Sequence, residues 1–98
     1  MQTGIDDSTK AKLYLNAGLA HSKSNNDFLA IQCLQNAINF SVNSPDLQSK
    51  SLNELGNISY RKTNDWLDQQ NVSEARRVWE EAIKYYESAF QLDGNLKA

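Results

Sequence analysis

Two alanine pairs with the same spacing, each preceded by a glycine, constrain this chain most. Ala30 and Ala37 lie seven residues apart, as do Ala82 and Ala89, and Gly18 and Gly56 precede them. Helices pack 8–10 Å apart depending on the side chains at the crossing, so antiparallel helices come closest where one offers glycine and the other alanine. The pairs are Gly18 with Ala30 and Gly56 with Ala82. Ala37 and Ala89 then let the next hairpin pack close. The chain is therefore expected to be all-helical: two copies of an antiparallel helix hairpin, stacked side by side. One proline and four glycines in 98 residues suit long uninterrupted helices. No stretch alternates with the period of two that a strand needs.

The punctuation agrees. Residues 1–7, with Gly4, Asp6 and Asp7, read as a frayed arm, and Ser8 or Thr9 suits a helix cap. The first helix runs to Ser22 or Lys23, with an apolar stripe that includes Leu13, Tyr14, Leu15, Ala17 and Leu19. Ser24-Asn25-Asn26-Asp27 is a turn cluster, because these side chains compete with helix for backbone hydrogen bonds. A second helix over about Asp27 to Ser41 carries Phe28, Ile31, Leu34, Ala37 and Ile38. Ser44-Pro45-Asp46 restarts the chain: an N-cap, a proline at the first helical position and an acid at the positive end of the dipole. The third helix carries Leu47, Leu52, Leu55 and Ile58. Asn71-Val72-Ser73-Glu74 has capping-box spacing. The fourth helix places Ala75, Val78, Trp79, Ala82, Ile83, Tyr86, Ala89 and Phe90 on one face. Charges four apart, Arg76-Glu80-Lys84 and Arg77-Glu81, line its outside. Gly94 is placed to stop it in the left-handed conformation. The one domain thus holds hairpin one, about 8–42, and hairpin two, about 45–93.

The two hairpins differ in length. Gly18 to Ala30 is 12 residues, whereas Gly56 to Ala82 is 26. An insertion at a hairpin tip must lengthen both legs equally to keep the pairing below it. Seven residues per leg is close to two helical turns, so each leg regains its facing. Thr63 to Gln70 lacks a helix breaker, which favours an extended hairpin centred on Gln69 over an irregular loop. This register sets Ser59 opposite Trp79, Leu52 opposite Tyr86 and Trp66 opposite Val72.

Residues 11–95 resemble the tetratricopeptide (TPR) repeat. Leu55-Gly56-Asn57-Ile58-Ser59-Tyr60-Arg61-Lys62 is similar to the first helix of such a repeat. The run from Glu81 through Ala82, Tyr85, Tyr86, Ala89 and Leu92 to Asp93 is similar to the second helix and its exit. Residues 27–37 are a looser copy. The chain departs from the family at Gly94, where proline is usual, and at His21 and Ser59, where an aromatic is common. Phe28 lies one position late, and the 14-residue insertion is the largest departure. A narrower resemblance is to bacterial TPR proteins encoded near von Willebrand factor A-domain proteins of the aerotolerance type. It rests on Glu54-Leu55-Gly56-Asn57, on Ala75-Arg76-Arg77-Val78-Trp79-Glu80-Glu81-Ala82 and on Tyr86 to Asp93.

The family resemblance implies a short right-handed superhelix whose first helices line a concave groove for a peptide or helix. That face would offer Lys12, Leu15, Asn16, Leu19 and Lys23 from hairpin one, and Asn53, Asn57, Tyr60 and Arg61 from hairpin two. Relatives that clamp a chaperone's C-terminal carboxylate use Lys and Asn there. Leu15, Leu19 and Glu54 take those places here, which argues against that ligand. Core packing is expected for Tyr14, Trp79 and Tyr86, and exposure for Tyr60 and Tyr85.

Catalysis finds no support. Cys33 and His21 are the only conventional nucleophile and base, and they fall on different helices with no third orienting group. Cys33 reads as a small hydrophobe, and His21 as filler of the hairpin interface. Asp65, Asp68 and Glu74 read as a solvated acidic turn in preference to a cation site. No phosphate loop or His-Glu-x-x-His motif occurs. No cofactor is expected. A net charge of −2 leaves no basic footprint for nucleic acid, and no apolar run is long enough to insert in a membrane. The expected function is a protein-interaction scaffold that is not an enzyme. The alternative is a structural or oligomerisation segment of a longer helical repeat array with no ligand of its own; self-association is a further partner expectation. The expected setting is a soluble segment, cytoplasmic or periplasmic if it belongs to a membrane-anchored bacterial protein.

Overall fold

A computed structural model describes residues 5–97, with side-chain placement through residue 94. It is all-helical, with no strand among the described residues. The helices are α1 (Asp7–Lys23), α2 (Asp27–Phe40), α3 (Pro45–Asp68) and α4 (Val72–Lys97). α1 pairs with α2, and α3 with α4. α3 also packs on α2 and, more lightly, on α1, whereas α4 meets α3 alone among the described residues.

The two hairpin turns are the same structure built from different residues. α1 ends at Ser24, followed by Asn25 at φ 62°; α3 ends at Gln69, followed by Gln70 at φ 61°. In the first turn the Asn26 N–H donates to the His21 carbonyl at 2.9 Å and the Asn25 N–H to Ser22 at 3.0 Å. In the second, Asn71 donates to Trp66 at 2.8 Å and Gln70 to Leu67 at 2.9 Å. This is the Schellman closure, which satisfies the last carbonyls of a helix through one left-handed residue. Asparagine tolerates that conformation; glutamine is a less usual occupant. Each turn then hands over to an asparagine cap. Asn26 accepts from the Leu29 N–H at 3.3 Å, and Asn71 accepts from the Glu74 N–H at 3.1 Å. Glu74 does not return the bond, because the Asn71 N–H is already donated to the Trp66 carbonyl at 2.8 Å; its carboxylate pairs with Arg77 at 2.9 Å instead. The capping box is therefore half made.

From these turns the leg lengths can be read directly. Gly18 lies seven residues before Asn25, and Gly56 fourteen before Gln70; Ala30 lies five after Asn25, and Ala82 twelve after Gln70. Both legs of the second hairpin are longer by seven, and α3 is helical throughout the inserted stretch to Asp68.

At both crossings the glycine is covered by the residue four beyond the alanine. A Cβ on Gly18 would lie 2.9 Å from Leu34 Cγ and Cδ2, and 3.4 Å from the Ala30 carbonyl oxygen. A Cβ on Gly56 would lie 2.7 Å from Tyr86 Cε1. Thus Tyr86 covers Gly56, where the sequence register placed it opposite Leu52. The reason is the slant of helical side chains towards the N-terminus, which drops each one over the preceding turn. Trp79 lines the cleft at the hairpin tip together with Thr63. Trp66 lines a pocket with Asp27, Lys62 and Val78.

The core joins both hairpins. Ala11, Leu15, Ala30, Leu34, Ala37, Leu47, Leu55 and Ile58 form one buried cluster, with Tyr14, Ile31, Ile38 and Tyr85 packed at its edge. Tyr14 stacks on Phe40 with ring centroids 5.8 Å apart. Buried hydroxyls bond to the carbonyls behind them, Ser51 to Leu47 at 2.9 Å and Thr63 to Ser59 at 3.0 Å. Between the long legs Ser49 donates to the Asp93 carboxylate at 2.7 Å.

Several expectations need correction. The first helix is capped by Asp6, which accepts from the Thr9 N–H at 2.8 Å, so neither Ser8 nor Thr9 is the cap. Asp7 is already helical, and Gly4 lies outside the described residues. Ser44 makes no side-chain cap bond, although Pro45 takes the first helical position. Gly94 does not stop α4, which runs to Lys97. One interior glycine costs a helix about 1 kcal/mol relative to alanine, too little to end it without a closing motif. Leu13 and Phe28, placed on apolar stripes, are exposed.

Candidate functional site

The expected groove face divides once the side chains are placed. Lys12, Asn16 and Lys23 on α1 are exposed. Leu15 is not available to a partner, because it sits in the core cluster. α1 is pressed on two sides, by α2 and by α3, which buries more of its circumference than a single neighbour would. Leu19 is half-buried against the same cluster.

On α3, Asn53 is half-buried, and Asn57, Tyr60 and Arg61 are exposed. Two of these are already engaged. The Arg61 guanidinium donates to Asp27 at 2.9 Å and to the Ser22 hydroxyl at 3.3 Å, and so ties α3 to the turn of hairpin one. Asn57 accepts the Tyr86 phenol proton at 2.6 Å. Burial first, then the nearby Glu54, raises the Tyr86 pKa. Burial likewise raises that of Tyr85, with Glu81 adding to it. Tyr60 is 54% exposed with its ring uncommitted. The face that remains open for contact is thus Lys12, Asn16, Lys23 and Tyr60, edged by Leu19 and Asn53.

The structure opens a second surface around Trp79, which helical spacing places in the core. Trp79 is 49% exposed and Phe90 76%. Trp79 joins Leu67 and Val72 around an open cleft of about 530 Å³ at the hairpin tip, with Thr63, Ala75, Arg76 and Glu80 on its walls. Conversely Tyr85, expected outside, packs against the core. The signal lay in the width of the α4 stripe. At about 100° per residue, Ala75, Val78, Ala82 and Ala89 fall on one edge, and Val72, Trp79, Ile83 and Phe90 on the other. A stripe that wide exceeds what one neighbouring helix covers, and α4 has only one among the described residues.

No constellation for chemistry assembles among the described residues. His21 near the end of α1 and Cys33 within α2 are both half-buried and share no hydrogen bond. No three His, Cys, Asp or Glu side chains converge where they could hold a metal ion. Asp65 and Asp68 are exposed at the end of α3. No described helix is long and apolar enough to cross a membrane. No family model matches the chain, and no curated protein or solved structure matches it significantly.

Proposed function

We propose that the chain is a helix-hairpin repeat module of the TPR kind, and that it holds a protein or peptide partner along the shared face of α1 and α3. One observation carries this reading: the same hairpin is built twice. The Schellman turns at Asn25 and Gln70 match bond for bond, and Leu34 covers Gly18 as Tyr86 covers Gly56. Such units bury their apolar faces by stacking, which leaves one face of the array as an extended surface for recognition. In support, α3 leans on both helices of the first hairpin, the arrangement expected of a superhelical stack. Tyr60 supplies an exposed aromatic of the kind that anchors interfaces, flanked by amides for backbone hydrogen bonds.

The test spares residues that hold the fold together. Arg61 and Asn57 brace the hairpins, so substituting them mixes binding with stability. Asn16→Ala with Tyr60→Ala alters exposed groups only. Helical content and unfolding midpoint stay near those of the parent. Affinity for a partner captured by the parent chain falls at least tenfold, about 1.4 kcal/mol. Equal binding by the double variant rejects the groove.

A further inference from the structure

The two hairpins are related by correspondences that run from the glycine–alanine crossing outward. Gly18 matches Gly56, so α1 residues match α3 residues 38 positions later; Ala30 matches Ala82, so α2 residues match α4 residues 52 positions later. Within the chain, α3 covers one face of α2. Ile31 and Ile38 of α2 are half-buried against the core there, and the Gln48 side chain of α3 donates to the Ile38 carbonyl at 3.2 Å. On the α3 side Leu55 and Ile58 belong to the core cluster against which Ile31 and Ile38 pack, and Ser51, on the same edge of the helix, is buried.

Both halves of this interface recur on the outer faces of α4 and α1, where they are partly exposed among the described residues. The α4 counterparts of Ile31 and Ile38 are Ile83 and Phe90, and Phe90 is 76% exposed. The α1 counterparts of Ser51, Leu55 and Ile58 are Leu13, Ala17 and Ala20. Leu13 is 58% exposed and Ala20 is exposed. The sizes change in compensation: α1 has two alanines where α3 has Leu55 and Ile58, and α4 has Phe90 where α2 has Ile38. Lys10 is the counterpart of Gln48, and an apolar cleft of about 450 Å³ opens beside it, lined by Ile5, Lys10, Leu13, Tyr14, Ala17 and Phe40. The ion pair that fastens α3 to the first hairpin, Arg61 with Asp27, has Lys23 and Trp79 as its counterparts. That is again a complementary couple, a cation and an exposed aromatic face.

We infer that the outer face of α4 in one copy of this chain receives the outer face of α1 from a second copy, continuing the hairpin stack from molecule to molecule. Phe90 enters the cleft beside Lys10 and Leu13, Ala17 and Ala20 allow close approach to Ile83, and Lys23 lies over Trp79. The contact joins two different surfaces, so it is head-to-tail and does not close on itself at two copies. It rests on the repeat reading; of the groove face it draws on Lys23 alone, whereas Asn16 and Tyr60 take no part.

Sedimentation velocity over a concentration series of the 98-residue chain tests this with two charge substitutions at exposed sites, Leu13→Glu and Phe90→Glu. The parent is expected to grow beyond dimers as concentration rises. Each variant alone is expected to remain monomeric, with circular dichroism and melting like the parent's. An equimolar mixture of the two is expected to form a one-to-one dimer and nothing larger, because each variant keeps one intact face. Asn16→Ala/Tyr60→Ala is expected to associate like the parent. Three outcomes overturn the inference: a parent that is monomeric at every concentration, Leu13→Glu associating as the parent does, or a mixture that yields no heterodimer. None of these touches partner capture by the groove, which is scored separately.

Discussion

Hairpin one and hairpin two solve the same packing problem with different margins. In the first, the residue over the glycine is Leu34, fully buried, with the Ala30 carbonyl close behind. In the second it is Tyr86, half-buried, whose ring lies over Gly56 and whose hydroxyl reaches Asn57. The first crossing is closed on every side, and the second can yield at its rim. Length follows the same division. The short hairpin is wedged against α3, whereas the added turns of the long one carry Leu67 and Val72 half-exposed at the tip, beside Trp79. The helix hairpin thus tolerates two extra turns per leg, because the addition restores facing and leaves the crossing below it alone.

Truncating the covering residue should separate the two crossings most widely. Leu34→Ala is expected to cost about 2–5 kcal/mol, the range for a fully buried leucine that leaves a cavity. Tyr86→Ala is expected to cost less, because solvent already reaches that ring. Denaturant unfolding of both variants measures the gap, and equal losses would remove the distinction.

Filling the glycines probes it from the other side. Gly18→Leu drives into Leu34, which has nowhere to go, and should lose about 3 kcal/mol. Gly56→Leu displaces Tyr86 towards solvent and should lose about 1–3 kcal/mol. Gly94, helical with open space around it, is the control: Gly94→Ala should gain about 0.5–1 kcal/mol. Melting curves that rank the three in another order would mean the crossings are not built as described.

A smaller effect concerns the fastening between the hairpins. Arg61 and Asp27 are partly exposed, at 43% and 29% of their side chains, so their coupling in a double-mutant cycle should fall within about 0.2–1 kcal/mol and shrink as salt rises. Coupling that is larger and insensitive to salt would place the pair in a drier joint.

The smallest effect is in alkali. Tyr85 and Tyr86 have folded-state pKa values raised above 10.0, chiefly by burial. The folded chain therefore holds these protons more tightly than the unfolded one. Their contribution is complete below pH 10 and is lost as pH rises through the folded values. Stability should decline in that window, and less so in Tyr86→Phe. A parent whose stability is flat across it would show that neither phenol is sheltered.

How much was legible in the sequence can be argued from particular residues. Four helices, the break at Pro45 and the lengthened second hairpin follow from periodicity, turn chemistry and a count of residues. The turn at Gln70 was visible only as the middle of the insertion, because glutamine carries no turn signature. The helix end at Gly94 was misread, since a cap depends on how the chain closes beyond it. In the candidate groove, Lys12, Asn16 and Tyr60 were legible as outward positions. Leu15 was not, because its burial requires α3 to press on α1.

The order of the helices, the crossing points and the two-turn insertion were determined by the sequence alone, because each is a local or periodic property of the backbone. Which residue covers each glycine was decided by tertiary packing. Helical side chains slant by about a turn, so the register of Cα atoms does not give the register of contacts. The fates of Arg61, Asn57, Trp79 and Phe90 were decided there too. A helical wheel shows which way a side chain points, but whether it is buried, bonded or left open depends on the neighbour that arrives. α3 has neighbours on two sides and α4 on one.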